Sequence, residues 1–154
     1  MRPNVIKGIP ALRAGLAILA VLASSGGFGQ ANADISKDVF DAIYIEQLAV
    51  EPATQGASAR VKFAIENESG QPLTLTGVSS DTASSGALRL RFPVDGMRPV
   101  PELAILDRER LDLGTSHVEA VLLDVREQIV HGDTVHLTLH FRGFTIPVVA
   151  HAHL

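Results

Sequence analysis

Alternation of apolar and polar residues with a period of two is the feature that most constrains the fold of this chain. In TVHLTLHF at 134–141, Val135, Leu137, Leu139 and Phe141 occupy one face and polar residues the other. The run FTIPVVAH follows at 144–151, after the two-residue sequence Arg142-Gly143. Such spacing predicts a β-hairpin with a tight glycine turn rather than a helix.

Similar short runs, separated by turn residues, occur along the rest of the chain. They predict about eight strands, at 43–50, 59–66, 72–78, 87–92, 109–113, 117–125, 134–141 and 144–151. Residues 79–86 and the proline-rich 93–102 are interpreted as loops, and Phe92 is placed facing the core. Many short strands with little helical periodicity indicate an all-β fold, an antiparallel Greek-key β-sandwich or small barrel.

The first 33 residues have the pattern of an export signal. Arg2, Lys7 and Arg13 precede a short apolar core at 14–23, and Ala31-Asn32-Ala33 forms an A-x-A cleavage site. The apolar core is shorter than the roughly 20 residues of a membrane-spanning helix, although an uncleaved anchor is the alternative. We expect a signal peptide over 1–33, a single domain over 34–154, and a periplasmic or secreted mature protein.

Charge and composition exclude several classes of function. Residues 34–154 hold 10 of the 13 Lys and Arg residues and all 17 Asp and Glu residues, a net charge of −7. An acidic domain is a poor nucleic-acid binder. The sequence has no cysteine, so a soft-metal site would have to use His and Met. No P-loop, dinucleotide-binding or nucleophile-elbow motif is present, and we expect no enzymatic activity.

Three segments, in order and with fitting spacing, resemble one known family. They are GVSSDTASSGALRLR at 77–91, MRPV at 97–100, and RLDLGTSHVEAVLLDVREQIVHGDTVHLTLHF at 110–141. They are similar to segments of the PCuAC family of periplasmic copper chaperones. The resemblance implies a cupredoxin-like β-sandwich that binds copper and delivers it to a periplasmic or membrane-bound copper protein, such as an oxidase subunit.

The resemblance also implies where the copper ligands would lie. PCuAC proteins hold Cu(I) with two His and two Met, and the four positions fall here on Arg91, Met97, Glu119 and Val121. Only Met97 keeps a family ligand. Arginine carries no free lone pair, and a carboxylate is a hard oxygen donor poorly matched to Cu(I). We therefore expect the family copper site to be absent or weak, and Arg91 to form an ion pair with Glu119.

Two weaker metal sites remain open alternatives. His117, two residues before Glu119, could join Met97 and Glu119 in a shifted site, or be an exposed histidine at the start of a strand. His136, His151 and His153 could form a patch for Cu(II), zinc or nickel. The predicted hairpin pairs His136 with Val149, two residues from His151, so His136 and His151 would share a face. The other interpretation of this patch is a polar outer face with a frayed C-terminus.

Two functions therefore remain open at this point. One is copper binding and delivery through a remodelled site. The other is an accessory or protein-interaction domain of the periplasm that no longer binds metal. In both cases we expect a monomer with no membrane span in the mature protein.

Overall fold

Ten β-strands and one short helix make up residues 37–154, the part of the chain that the structure, a computed structural model, describes. The predicted signal peptide lies outside these residues. Within them, no helix has the length and apolar character needed to cross a membrane. The elements are α1 (Lys37–Phe40), β1 (Ile43–Val50), β2 (Ala59–Asn67), β3 (Leu73–Ser80), β4 (Ala83–Phe92), β5 (Gly96–Val100), β6 (Leu103–Ile105), β7 (Arg110–Asp112), β8 (Val118–Val125), β9 (Thr134–Phe141) and β10 (Phe144–Ala152).

The strands form one continuous hydrogen-bonded sheet in the order β5-β4-β8-β2-β1-β10-β9-β3-β6, with β7 also paired to β2. Neighbouring strands are antiparallel except β1 and β10, which are parallel. Strand β3 nevertheless contacts β4 and β8, which lie far from it in this order. The sheet therefore folds over, and its two halves face each other as a sandwich. The all-β sandwich prediction is confirmed.

Apolar residues at alternating positions fill the space between the two halves. Val61, Phe63 and Ile65 of β2 are buried, as are Val135, Leu137 and Leu139 of β9. The β9–β10 hairpin has the predicted register, with Phe141 opposite Phe144. Gly143 in its turn has φ of 93°, a conformation that favours glycine.

The prediction of about eight strands is wrong in number, because two additional strands lie in 93–105, most of which was interpreted as a loop. Strands β5 and β6 are short and occupy the two ends of the sheet. Pro99 is tolerated in β5 because an edge strand does not need every backbone donor. Phe92 is also placed wrongly by the sequence: it is 37% exposed, and the Arg98 guanidinium lies 5.3 Å from the centre of its ring.

The buried amide of Asn67 joins two turns at one end of the sandwich. Its Nδ2 lies 2.8 Å from the carbonyl oxygen of Gln71 and 3.1 Å from that of Ile105. Its Oδ1 accepts hydrogen bonds from the backbone N–H and the hydroxyl of Ser69. The sequence predicts a turn at Asn67 but not this connection to the chain between β6 and β7.

Gly86 lies where β4 passes closest to β3. A Cβ atom placed on Gly86 would lie 1.8 Å from the carbonyl oxygen of Val78, whereas a Cβ on Gly77 would meet no atom within 4 Å. Close approach of two backbones therefore requires glycine at position 86 but not at position 77.

This difference gives a matched pair of substitutions. Gly86→Ala should lower the free energy of unfolding by about 3 kcal/mol, because the backbones of β3 and β4 must move apart. Gly77→Ala should change it by less than about 1 kcal/mol. Urea unfolding followed by circular dichroism measures both. Equal effects of the two substitutions would contradict the close approach.

Candidate functional site

Strands β5, β4 and β8 bring all four positions aligned with the family copper ligands onto adjacent strands. Arg91 of β4 pairs with Met97 of β5, and Arg89 of β4 pairs with Glu119 of β8. Side chains two residues apart on a strand share a face, so Arg91 and Glu119 are diagonal neighbours on one face of the sheet. Val121 lies on that same face, two residues beyond Glu119.

The predicted ion pair between Arg91 and Glu119 is present. Nη2 of Arg91 donates a hydrogen bond to Oε1 of Glu119. Glu119 is only 7% exposed, whereas the Arg91 side chain is 59% exposed. A buried carboxylate needs a cation or hydrogen-bond donors to compensate for its lost hydration. Arg91 supplies both, which explains how the acidic residue Glu119 is tolerated in the apolar strand β8.

A second arginine, Arg60 of β2, approaches the same carboxylate from the other side. Its Nη2 lies 3.7 Å from Oε1 of Glu119 and donates a hydrogen bond of 3.0 Å to the carbonyl oxygen of Gly114. Sequence analysis missed Arg60. It occupies an ordinary outward position of β2, and only the pairing of Arg60 with Val121 shows that it borders Glu119.

The loop that presents Gly114 is held by Asp112. The carboxylate Oδ1 of Asp112 accepts hydrogen bonds from the backbone N–H groups of Gly114 at 2.7 Å and Thr115 at 3.0 Å. Desolvation by burial acts to raise the pKa of Asp112, but these N–H groups, the Thr115 side chain and the charge of Arg110 together hold its pKa below the usual value. The ionised Asp112 therefore stabilises the loop whose Gly114 carbonyl oxygen accepts the hydrogen bond from Arg60.

The other residues at or near the aligned positions offer few soft donors, and metal binding by Met97, His117 and Glu119 stays a prediction. Val121 is buried and has no donor atom. Met97 is 37% exposed, and His117 is exposed just before β8. The backbone N–H of Arg91 donates to the carbonyl oxygen of His117 at 2.8 Å, so β4 lies between the strands that carry Met97 and His117. Their backbones are therefore roughly 10 Å apart, two strand spacings, with the Arg91 strand between them.

These residues do not fit Cu(I). The ion prefers thioether and imidazole donors, and only Met97 remains of the aligned set. The guanidinium of Arg91, whose strand lies between Met97 and His117, adds a fixed positive charge, which repels a cation. Among residues 37–154, no group of three or more His, Asp or Glu side chains is arranged to hold a metal ion.

The three histidines of the second predicted site lie near the end of the β9–β10 hairpin. His136 pairs with Val149, and Thr134 with His151, so the expected register is found. His136 and His151 are exposed, and His153 follows β10 beside a cavity of about 300 Å³ that Lys62 and Asp112 also line. Metal binding by this patch stays a prediction.

The ion pair gives a first test of this site. Glu119→Gln should lower the free energy of unfolding by about 1–2 kcal/mol, less than for a fully buried pair, because Arg91 is partly hydrated. The same variant should leave the sandwich intact and increase the mobility of the Arg91 guanidinium, measured by ¹⁵N relaxation of its Nε. Glu46→Gln is the control, since it breaks the exposed pair of Glu46 with Arg110. We expect little change from it, and equal effects would show that Glu119 is not a buried, paired charge.

Asp112 gives a pH-dependent test. Its lowered folded-state pKa contributes stability above the unfolded value of 3.8, and this contribution is lost as the pH falls through the folded-state pKa. Asp112→Asn should therefore cost about 1 kcal/mol or less at pH 7, and the difference from wild type should shrink below about pH 4. Thermal unfolding at a series of pH values measures it. A difference that grows in acid would contradict the assignment.

Comparison with known proteins places this geometry in a family. Residues 43–150 match the family model of the LpqE-like lipoproteins. The copper-bound PCuAC domain from PmoF2 superposes with a TM-score of 0.62 at 18% identity, covering 73% of this chain and 92% of that domain. The apo PCuAC domain from PmoF1 gives a TM-score of 0.61 at 17% identity, covering 73% of this chain and 93% of that domain.

A third structure comes from Deinococcus radiodurans. It is the Cu(I) form of DR1885, with a TM-score of 0.56 at 25% identity, covering 70% of this chain and 77% of that protein. None of these three structures is described as an enzyme. No curated protein sequence matches the chain. The match over residues 43–150 shows that the chain belongs to the LpqE-like lipoprotein family, and its β-sandwich fold is that of PCuAC domains.

Proposed function

We propose that this chain is an exported PCuAC-type domain that acts by binding another protein and does not hold Cu(I) at the family position. The observation that carries the proposal is the ion pair of Arg91 with the buried Glu119. Two residues aligned with imidazole ligands now satisfy each other, and Arg60 adds a second cation at 3.7 Å. Charge pairing takes the place of coordination as the connection between β4 and β8.

The energetics of metal entry support this proposal. For Cu(I) to bind Met97, His117 and Glu119 together, it would have to displace Arg91 from Glu119, leaving the buried carboxylate with Arg60 at 3.7 Å as its nearest cation. Removing one partner of a buried ion pair costs up to several kcal/mol. Two donors separated by a strand cannot supply that energy as well as a preformed set of four ligands can.

Export is part of the proposal. The pattern of residues 1–33 supports a signal peptide cleaved after Ala33, which would release residues 34–154 into the periplasm or outside the cell as a monomer. The family name refers to lipoproteins, yet a lipid carried on sulfur requires a cysteine, and this sequence has none. The sandwich itself would be the functional unit, without catalytic activity.

Copper delivery to a periplasmic or membrane-bound copper protein, such as an oxidase subunit, is the second candidate. The observation that favours it is Met97, which keeps the family thioether at an accessible position. In that case Met97 with His117 and Glu119, or the patch of His136, His151 and His153, would bind the metal weakly.

A Cu(I) competition titration separates the two candidates. Residues 34–154, which contain the whole described hydrophobic core, are titrated under reducing conditions against a chelator of known affinity. We expect the wild type to bind Cu(I) on the order of 100-fold more weakly, or worse, than a variant carrying Arg91→His, Glu119→His and Val121→Met, a difference of about 2.7 kcal/mol. Together with the native Met97, the three substituted residues complete the family's set of four ligands.

Two control variants make the result interpretable. Adding Met97→Leu to the triple variant should abolish the restored binding. A variant with only Arg91→His and Glu119→His leaves the buried Val121 unchanged, in case methionine overpacks that position. Wild-type affinity as high as that of the triple variant, and lost on Met97→Leu, would overturn the proposal in favour of copper delivery.

A further inference from the structure

The hairpin formed by β4 and β5, residues 87–100, exposes three large apolar side chains around its tip. Val94 at its tip is 93% exposed, and Phe92 and Met97 on the two strands are each 37% exposed. Residues 91–99 are exposed without interruption. Phe92 lies opposite Gly96 and Met97 opposite Arg91, so Phe92 and Met97 point to opposite faces of the hairpin, with Val94 at the tip between them. A projecting tip that exposes large apolar side chains on both faces is a candidate interaction surface.

Charge separates the β4–β5 hairpin from the rest of the domain. Its three arginines, Arg89, Arg91 and Arg98, and one aspartate, Asp95, give its sequence a net charge of +2, whereas residues 34–154 as a whole carry −7. Arg91 is paired with Glu119 of β8, so a net charge of about +1 remains for a partner. It contains no Lys and no Glu. Aromatic residues, Met and Arg are enriched in the centres of protein interfaces, and Lys and Glu are depleted there. The composition of the hairpin matches that of an interface.

Contacts within the hairpin hold its tip in one conformation. Nη2 of Arg98 lies 2.6 Å from Oδ2 of Asp95, and the Arg98 guanidinium stands 5.3 Å from the centre of the Phe92 ring. Gly96 has φ of 75° in the turn. Ordering these side chains in the free protein reduces the entropy that a partner would otherwise have to overcome on binding.

We propose that the tip of the β4–β5 hairpin docks into an apolar pocket with an acidic rim on another protein. Val94 would enter the pocket with Phe92 on one side of the hairpin and Met97 on the other. Arg98, on the Phe92 side, and Arg89, on the Met97 side, would each face acidic groups of the rim. Pro99 lacks a backbone N–H and interrupts the free edge of β5, so side chains rather than an added strand make the contact. This inference rests on the proposed function as a binding domain and names its surface.

A membrane surface fits these features less well. Asp95 lies at the tip, where a side chain entering lipid would be apolar, and its side chain is 54% exposed. The net charge of −7 on residues 34–154 also repels an anionic bilayer. A protein rim can place acidic groups opposite Arg89 and Arg98 alone, which a uniform anionic surface cannot do.

Site-specific photo-crosslinking in the cells that naturally produce the protein tests the proposal. The full chain carries a photo-reactive amino acid at position 94, or at position 149 as the control. Val149 is 39% exposed but lies on β10, in the other half of the sandwich. We expect a discrete protein adduct from position 94 and none from position 149. The captured protein is then identified by mass spectrometry and purified.

Binding measurements on the purified pair complete the test. Val94→Asp and the double variant Arg89→Glu, Arg98→Glu should each weaken the dissociation constant at least tenfold, without lowering the unfolding temperature. Replacing acidic rim residues of the captured protein with lysine should restore binding of the double variant. Unchanged affinity in either variant would overturn the proposal. So would equal adducts from both positions, no adduct from position 94, or Val94-dependent sedimentation with phosphatidylglycerol vesicles. The Cu(I) titration is independent of all these outcomes.

Discussion

The pairing of a buried carboxylate with arginine is the interaction on which this site depends. Glu119 lies in β8, an interior strand between β4 and β2, where its charge has little access to water. Ionised groups in such a place need compensation from nearby cations. Arg91 from one neighbouring strand and Arg60 from the other provide it. The three side chains therefore connect β2, β8 and β4 across one face of the sheet.

The same backbone geometry can support coordination or charge pairing, depending on the side chains it carries. Pairing of Arg91 with Met97, and its diagonal relation to Glu119, depend on strand register alone. A PCuAC-type sandwich with soft ligands at these positions can collect them around one ion. With an arginine and a glutamate there, the contact needs no metal. Fold similarity to the copper-bound PmoF2 domain is thus compatible with loss of the ligand set.

Much of the fold was accessible from sequence because period-two alternation is a strong signal where a strand is buried on one face. Strands β1, β2, β8, β9 and β10 appear within one or two residues of their predicted bounds. Strands β5 and β6 did not appear, because β5 is exposed and contains Pro99, and the three residues of β6 are too few to show alternation. The Arg91–Glu119 pair followed from the family spacing counted from Met97. Arg60 and Asn67 could not be found that way. Arg60 borders Glu119 only through the pairing of β2 with β8, and Asn67 meets the carbonyl oxygen of Ile105, 38 residues further along the chain, only in the folded protein.

A crystal structure of residues 34–154 grown with Cu(I) under reducing conditions, with data collected at the copper absorption edge, tests the central claim most directly. We predict that Nη2 of Arg91 stays on Glu119 and that no anomalous peak appears near Met97. An Arg91 side chain turned into solvent, with copper bound between the Met97 sulfur and an imidazole or carboxylate of β8, would contradict this account.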